Sequence, residues 1–169
     1  MLSPAITKNE PVVVEALLQQ GARANDVLSS GTTPLDAAAP AGALKIFRVL
    51  LDSGADPNGT GRNGTSPLED ASLKGFDSIA EMLLDHGAQV NQANAGSGTT
   101  ALYAAAASGK GNVVKLLLKR DASPNACGSG HTTPYQAALE NGYSEIATQI
   151  QHSSAQIPSA CTPVLPAPK

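Results

Sequence analysis

Residues 31–58, GTTPLDAAAPAGALKIFRVLLDSGADPN, decide the fold of this chain. Thr33 can cap the free backbone N–H groups of a helix, and Pro34 suits the first helical position. Apolar residues recur on one helical face between positions 46 and 51, and Gly54 can adopt the left-handed conformation that ends a helix. The stretch therefore predicts two short antiparallel helices and a turn. Such a unit is too small to bury its apolar face alone.

The same pattern returns roughly every 33 residues along the chain. The helix-opening proline, the turn glycine and the leucine pair all have counterparts at this step. Self-similarity at such a period is typical of a stacked repeat array, in which each unit packs on its neighbours. The counterparts are Pro34, Pro67, Ala101 and Pro134; Gly21, Gly54, Gly87 and Asp121; and Leu17-Leu18, Leu50-Leu51, Leu83-Leu84, Leu117-Leu118 and Gln149-Ile150.

These motifs resemble the ankyrin repeat, and the resemblance covers about residues 1–152. The family pattern is a Thr-Pro-Leu helix start, an Ala pair, a mid-repeat Gly, a Leu pair and a Gly-Ala turn. The resemblance implies an all-α repeat solenoid of stacked helix-turn-helix units, from which short hairpin fingers project at roughly right angles. The pattern is present as Thr33-Pro34-Leu35, Ala37-Ala38, Gly42, Leu50-Leu51 and Gly54-Ala55.

The repeats divide the chain into an array and a tail. The first repeat is incomplete because the sequence begins at a helix, so we expect either an irregular cap or a fragment whose upstream part is absent. Gln149 and its polar neighbours stand where inner repeats carry leucine, which predicts a C-terminal cap. The predicted units are 1–30 (incomplete), 31–63, 64–97, 98–129, 130–152 (cap) and 153–169 (a Pro-rich tail or linker).

The helix starts depart from the family pattern in one respect. The His that usually follows Thr-Pro-Leu is absent, and carboxylates or amides stand there in several units. Ser66 with Glu69, and Thr133 with Gln136, therefore predict capping boxes, in which each side chain satisfies an orphan backbone N–H. Such a carboxylate is better explained as a cap than as a catalyst.

The repeat alignment also predicts how individual residues pack. Leu84 belongs to a leucine pair and should be buried. The finger at residues 92–97 is one residue longer than the others and should be flexible. The third outer helix carries Asp77, Glu81 and Asp85, and the fourth carries Lys115, Lys119 and Arg120. These adjacent outer faces have opposite charge and should attract weakly.

Composition narrows the class of partner. Charged residues make up 15% of the chain and the net charge is −3, so no basic stripe suits nucleic acid. The start shows no signal peptide, and the longest apolar run, residues 101–107, is too short to span a membrane. Cys127 and Cys161 lack disulfide-framework spacing. We therefore expect an intracellular protein, cytoplasmic or nuclear, that binds neither nucleic acid nor membrane and is a monomer or part of a larger chain.

The sequence offers little for catalysis. Residues 59–64, GTGRNG, match the GxGxxG of dinucleotide-binding proteins. That motif requires a preceding strand, so a finger turn is the better explanation. His86, His131 and His152 have no other ligands at metal spacing, and no nucleophile–base motif is present. We predict no enzyme activity, no metal and no cofactor.

Asn58, Asn91 and Asn125 occupy equivalent turn positions. The family resemblance implies that such asparagines can be hydroxylated by a 2-oxoglutarate-dependent oxygenase. The residues themselves favour a structural role, in which the side-chain amide ties the turn.

The resemblance implies protein binding through the finger tips and the inner-helix face. We therefore predict a non-catalytic protein–protein interaction module. The alternative is a structural or regulatory segment that acts in cis within a larger multidomain protein. By position, the candidate contact residues are Ser29, Ser30, Thr32, Arg62, Asn63, Thr65, Lys74, Ser97, Thr99, Ser129, His131, Thr132, Glu140 and Asn141.

Overall fold

A computed structural model of the chain describes residues 2–39, 42–61, 63–126, 128 and 132–153. The described residues form consecutive pairs of short helices. The pairs are α1 Leu2–Thr7 with α2 Pro11–Gln19, α3 Pro34–Ala38 with α4 Leu44–Asp52, α5 Pro67–Lys74 with α6 Asp77–Asp85, α7 Ala101–Ala107 with α8 Gly111–Lys119, and α9 Pro134–Glu140 with α10 Ser144–Ser153. The predicted tail lies outside the described residues, which end at Ser153.

The helices stack in two layers. The first helices of the pairs pack on one another in chain order, from α1 through α3, α5 and α7 to α9, and form the inner layer. The second helices do the same from α2 to α10 and form the outer layer. The chain is therefore the all-α repeat solenoid that its sequence predicted. None of the helices in the described residues has the length and hydrophobicity that a membrane span requires.

The inner helices begin where the sequence predicted. The Thr33 hydroxyl accepts a hydrogen bond from the Asp36 amide at 3.2 Å, and the Asp36 carboxylate accepts one from the Thr33 amide at 3.1 Å. Thr133 and Gln136 form the same reciprocal arrangement, so this predicted capping box is confirmed. Each box satisfies backbone N–H groups that the first turn of a helix leaves unpaired.

Burial repeats with the same period as the sequence. Ile46, Phe47 and Leu50 on α4 are each 0% exposed, and their counterparts on α6 and α8 are buried as well. The expectation for Leu84 was wrong, because it is only partly buried, whereas Leu83 is fully buried. Consecutive residues on a helix point about 100° apart, and α6 directs Leu83 into the core.

Asparagines join each unit to the next, in an arrangement that we call the asparagine bridge. The Asn58 side chain donates to the Gly87 carbonyl oxygen at 3.2 Å and accepts from the Gln89 amide at 2.7 Å. The structural role favoured from the sequence is therefore present, but the turn that is tied belongs to the following unit. Among the described residues, two further bridges run from Asn25 to Gly54 and Asp56, and from Asn91 to Asp121 and Ser123.

The outer layer carries an ion pair of the predicted kind. The Arg120 guanidinium lies 2.9 Å from the Asp85 carboxylate and 3.8 Å from that of Glu81. Both carboxylates are largely exposed, so the pair contributes well under about 1 kcal/mol. Asp121, which follows, replaces the turn glycine and adopts its left-handed conformation, with φ of 63°.

Leu83→Ala is expected to lower the free energy of unfolding by about 2–5 kcal/mol, because it leaves a cavity in the core between stacked units. Leu84→Ala on the same helix is the matched control and should cost less, since its side chain is only partly buried. Urea denaturation followed by circular dichroism measures both. Equal losses from the two variants would contradict the assignment of Leu83, rather than Leu84, to the core.

Candidate functional site

Hairpin fingers connect the units, and each is closed by a backbone hydrogen bond. In the first finger the Leu28 amide donates to the Thr32 carbonyl oxygen at 2.9 Å. The third closure spans one residue more than the others, which matches the insertion seen in the sequence. The glycines of residues 59–64 lie in the second finger, as predicted. The remaining closures join Gly61 to Thr65, Asn94 to Thr99, and Gly128 to Thr132.

The fingers lie directly against the inner helices. A Cβ at Gly61 would come within 2.8 Å of the Asp36 carboxylate on α3. A Cβ at Gly128 would overlap the ring of Tyr103 on α7, whose hydroxyl lies 3.2 Å from that of Thr132. Glycine is therefore needed at position 128, whereas a side chain at position 61 would require the Asp36 carboxylate to move. Fingers and inner helices together form one continuous surface, which we call the finger–helix face.

A buried carboxylate fixes the third finger. Glu69 on α5 is 7% exposed. Its carboxylate accepts hydrogen bonds from the Thr99 hydroxyl and, at 3.3 Å, from the Asn94 side-chain amide. The Asn94 side-chain oxygen in turn accepts from the amides of Gly96 and Ser97 at 2.8 and 3.2 Å. These bonds tie the third finger to the preceding unit.

The cap predicted at the start of α5 also serves the third finger. The Ser66 hydroxyl accepts from the Glu69 amide at 3.1 Å, as expected of a cap. Both oxygens of the Glu69 carboxylate accept hydrogen bonds from the third finger, while the Ser66 backbone amide still acts on the carboxylate and lowers its pKa. The predicted cap is therefore present, and donors from the next unit share its carboxylate.

Three acidic side chains of the inner helices, Asp36, Glu69 and Asp70, have raised pKa values. Burial raises the pKa of Asp36, while hydrogen bonds from Thr33 act in the opposite direction. Burial also raises the pKa of Glu69, against hydrogen bonds from the third finger. The pKa of Asp70 is raised by burial, lowered by Lys74 and raised by Asp36. Each carboxylate is therefore harder to ionise in the fold than in water.

The structure spreads the predicted contact residues along the finger–helix face rather than collecting them in one pocket. Thr99 is the exception, since it is 9% exposed and its hydroxyl is bonded to Glu69. We therefore assign Thr99 to the support of the finger. The exposed residues are Ser29, Ser30, Asn63, Ser97, Glu140 and Asn141, and the half-buried ones are Thr32, Thr65, Lys74 and Thr132. Arg62, Ser129 and His131 lie outside the described residues.

Sequence reasoning missed Leu73, which is 48% exposed in the last turn of the inner helix α5. It directly precedes Lys74, and the equivalent residues of the next two units are Ala107 and Glu140. Those residues are small or polar, so a leucine at this position stands out when the repeats are aligned. Because leucine is usually taken as a core residue, the signal points to burial until the helix orientation is known.

The described residues hold no group of His, Cys, Asp and Glu side chains arranged to bind a metal ion. Two acidic side chains beside the fingers are used structurally, since Asp36 caps α3 and Glu69 holds the third finger. The described finger–helix face therefore carries mostly small polar side chains, with Leu73 exposed on α5 and Leu139 exposed on the last inner helix, α9.

Helix pairs at a constant step, stacked in two layers and linked by fingers, define the class of helical repeat solenoids. A family model described as ankyrin repeats (3 copies) matches residues 2–94 and 91–160. The chain belongs to the ankyrin repeat family. Ankyrin repeats are generally protein–protein interaction modules and are typically non-catalytic. None of the curated proteins compared with the chain gives a significant match.

Glu69→Gln is expected to change how stability depends on pH. Burial raises the folded-state pKa of Glu69 above the ordinary value of 4.5, so the folded chain binds this proton more tightly than the unfolded chain. Its contribution to the free energy of unfolding is fully present below pH 4.5 and is lost as pH rises through the raised pKa. The stability of wild type relative to the variant should therefore increase as the pH falls from about 7 to about 4.

Urea denaturation at a series of pH values measures this difference. Glu145→Gln, at an exposed position on α10, is the matched control for exchanging a carboxylate for an amide. A wild-type advantage over Glu69→Gln that stays constant with pH would contradict a carboxyl group whose ionisation is opposed by burial.

Proposed function

We propose that this chain is a non-catalytic protein-binding module that holds a protein partner on the finger–helix face. Its family membership supports binding as the general role. The observation that carries the more specific proposal is Leu73, which stands 48% exposed on a rigid inner helix at the middle of the array. Polar side chains of the fingers, such as Asn63 and Ser97, lie exposed along the same face.

The face suits an interaction of modest strength. Burying a leucine completely is worth about 1.5–3 kcal/mol, and Leu73 is already half buried. Binding hot spots favour Trp, Tyr and Arg. The chain has no Trp, and Tyr103 is packed against a finger. Specificity would then come from the shape of the face and from hydrogen bonds to the finger tips.

The acidic side chains beside the fingers hold the structure together, which supports a role without catalysis or cofactor. The Asp36 carboxylate accepts a hydrogen bond that caps a helix, and the Glu69 carboxylate accepts hydrogen bonds that hold a finger. The absence of nucleic-acid and membrane partners and an intracellular location remain predictions from composition.

A structural or regulatory role in cis within a larger protein is the second candidate. Val13 favours it, because this apolar residue is 43% exposed at the first unit, where a neighbouring element could cover it. The two candidates differ in the surface that is used, which is the finger–helix face for the first and the end of the array for the second.

The first candidate is tested with two matched leucine–lysine pairs. Leu73→Asn with Lys74→Gln removes the apolar and cationic groups from the finger–helix face. Leu44→Asn with Lys45→Gln removes the same groups from the exposed start of α4 in the outer layer. Partners captured from the source cells by the wild-type chain are identified by mass spectrometry, and their affinity for each purified variant is then measured by calorimetry.

We expect the Leu73 and Lys74 variant to bind such a partner at least about tenfold more weakly, a loss of about 1.4 kcal/mol. The Leu44 and Lys45 variant should bind as wild type does, with both variants equally helical. A partner that binds both variants with unchanged affinity, or loses affinity equally for both, would show that the finger–helix face is not the binding surface.

A further inference from the structure

One position on the outer helices is buried when another unit precedes it in the array and exposed when none does. Ile46, Ile79 and Val113 occupy this position on α4, α6 and α8 and are 0%, 3% and 1% exposed. Val13 occupies it on α2 and is 43% exposed. The position is covered wherever the described chain supplies a preceding unit. It therefore faces upstream, and Val13 is the uncovered member of this apolar row.

The leucine one turn further along behaves in the same way. Leu50, Leu83 and Leu117 are each 0% exposed, whereas the equivalent Leu17 is only partly buried. Leu17 lines an open groove between α1, α2 and the first turn, together with Leu2. The upstream side of the first unit therefore has a groove of mixed polarity, in which Leu17 stands at a position that later units bury completely.

The first turn has the backbone groups that an asparagine bridge bonds in later turns, but the described chain supplies no asparagine to bond them. In later units a side chain from the preceding turn donates to one carbonyl oxygen and accepts from an amide two residues further on, as Asn58 does with Gly87 and Gln89. The corresponding atoms of the first turn are the Gly21 carbonyl oxygen and the Arg23 amide. Within the described residues, neither atom has a hydrogen-bond partner. Both residues line the groove.

We propose that this N-terminal face, formed by α1, α2 and the first turn, binds a further helix-turn-helix repeat unit whose turn presents an asparagine. The argument is continuity with an interface that the chain already contains three times. That occupant would cover Val13 and Leu17 with apolar side chains. Its asparagine would satisfy the Gly21 carbonyl oxygen and the Arg23 amide together, as one asparagine side chain does at each later turn.

A second copy of this chain is a poorer occupant. Its final unit would have to present the asparagine 33 residues after Asn125, and Pro158 stands at that position. Proline has no side-chain amide and so could neither donate to the Gly21 carbonyl oxygen nor accept from the Arg23 amide. The bridge would therefore be lost at a head-to-tail contact between copies.

The test adds such a unit to the intact chain. A copy of residues 34–66 is added directly before Met1. The copied Asn58 then lies 29 positions before Gly21. In the natural chain Asn58 lies 29 positions before its partner Gly87. The matched control carries Asn58→Ala in the copied unit alone. Val13→Glu is then introduced into the original chain and into the extended chain. Thermal unfolding and hydrogen exchange at the Arg23 amide are measured for every protein.

We expect the added unit to raise the unfolding temperature and to slow exchange at Arg23 by about tenfold or more, the worth of one hydrogen bond. The Asn58→Ala control should lose that protection. Val13→Glu should lower the unfolding temperature of the extended chain far more than that of the original chain, where the position is open. Equal effects of Val13→Glu in both backgrounds, with unchanged exchange at Arg23, would overturn the proposal. Sedimentation of the unmodified chain as a dimer that Val13→Glu dissociates would also overturn it, because the occupant would then be a second copy.

Discussion

Burial of each helix pair against the next is the constraint on which the rest of this structure depends. The helices are six to ten residues long in most cases, and helices of this length are not stable alone in water. Ile46, Phe47 and Leu50 lose all contact with solvent because α4 lies between α2 and α6. Stability in such an array is a sum over neighbouring units, so every unit both receives and supplies part of the core.

Hydrophobic burial is not directional, and polar contacts fix how the units align. Each asparagine bridge joins one turn to the next through a donor and an acceptor on a single side chain, which sets the step between units. The Glu69 carboxylate does the same for the third finger, through Thr99 and Asn94. Burying this carboxylate opposes its ionisation, and the hydrogen bonds from the finger partly offset that cost.

The same contacts explain the character of the finger–helix face. Side chains such as Thr99 and Tyr103, which could have met a partner, are used to hold the fingers against the inner layer. What remains outward is mostly small and polar, and the exposed apolar exceptions include Leu73, Leu139 and Val27. A rigid backbone with small side chains recognises a partner by shape and hydrogen bonding, and it loses little side-chain entropy on binding.

The sequence by itself determined the repeat, the helix pairs and the turns, because these depend on residues close together in the chain. The Thr133 cap, the left-handed Asp121 and the finger at residues 59–64 all follow from local chemistry. Tertiary structure alone decided the roles of Glu69 and Leu73. The Glu69 carboxylate binds donors 25 and 30 residues away, and Leu73 is exposed because of how α5 is rotated against its neighbours. Sequence spacing specifies which face of a helix is apolar, but the donors and surfaces that meet each side chain are known only once the units are stacked.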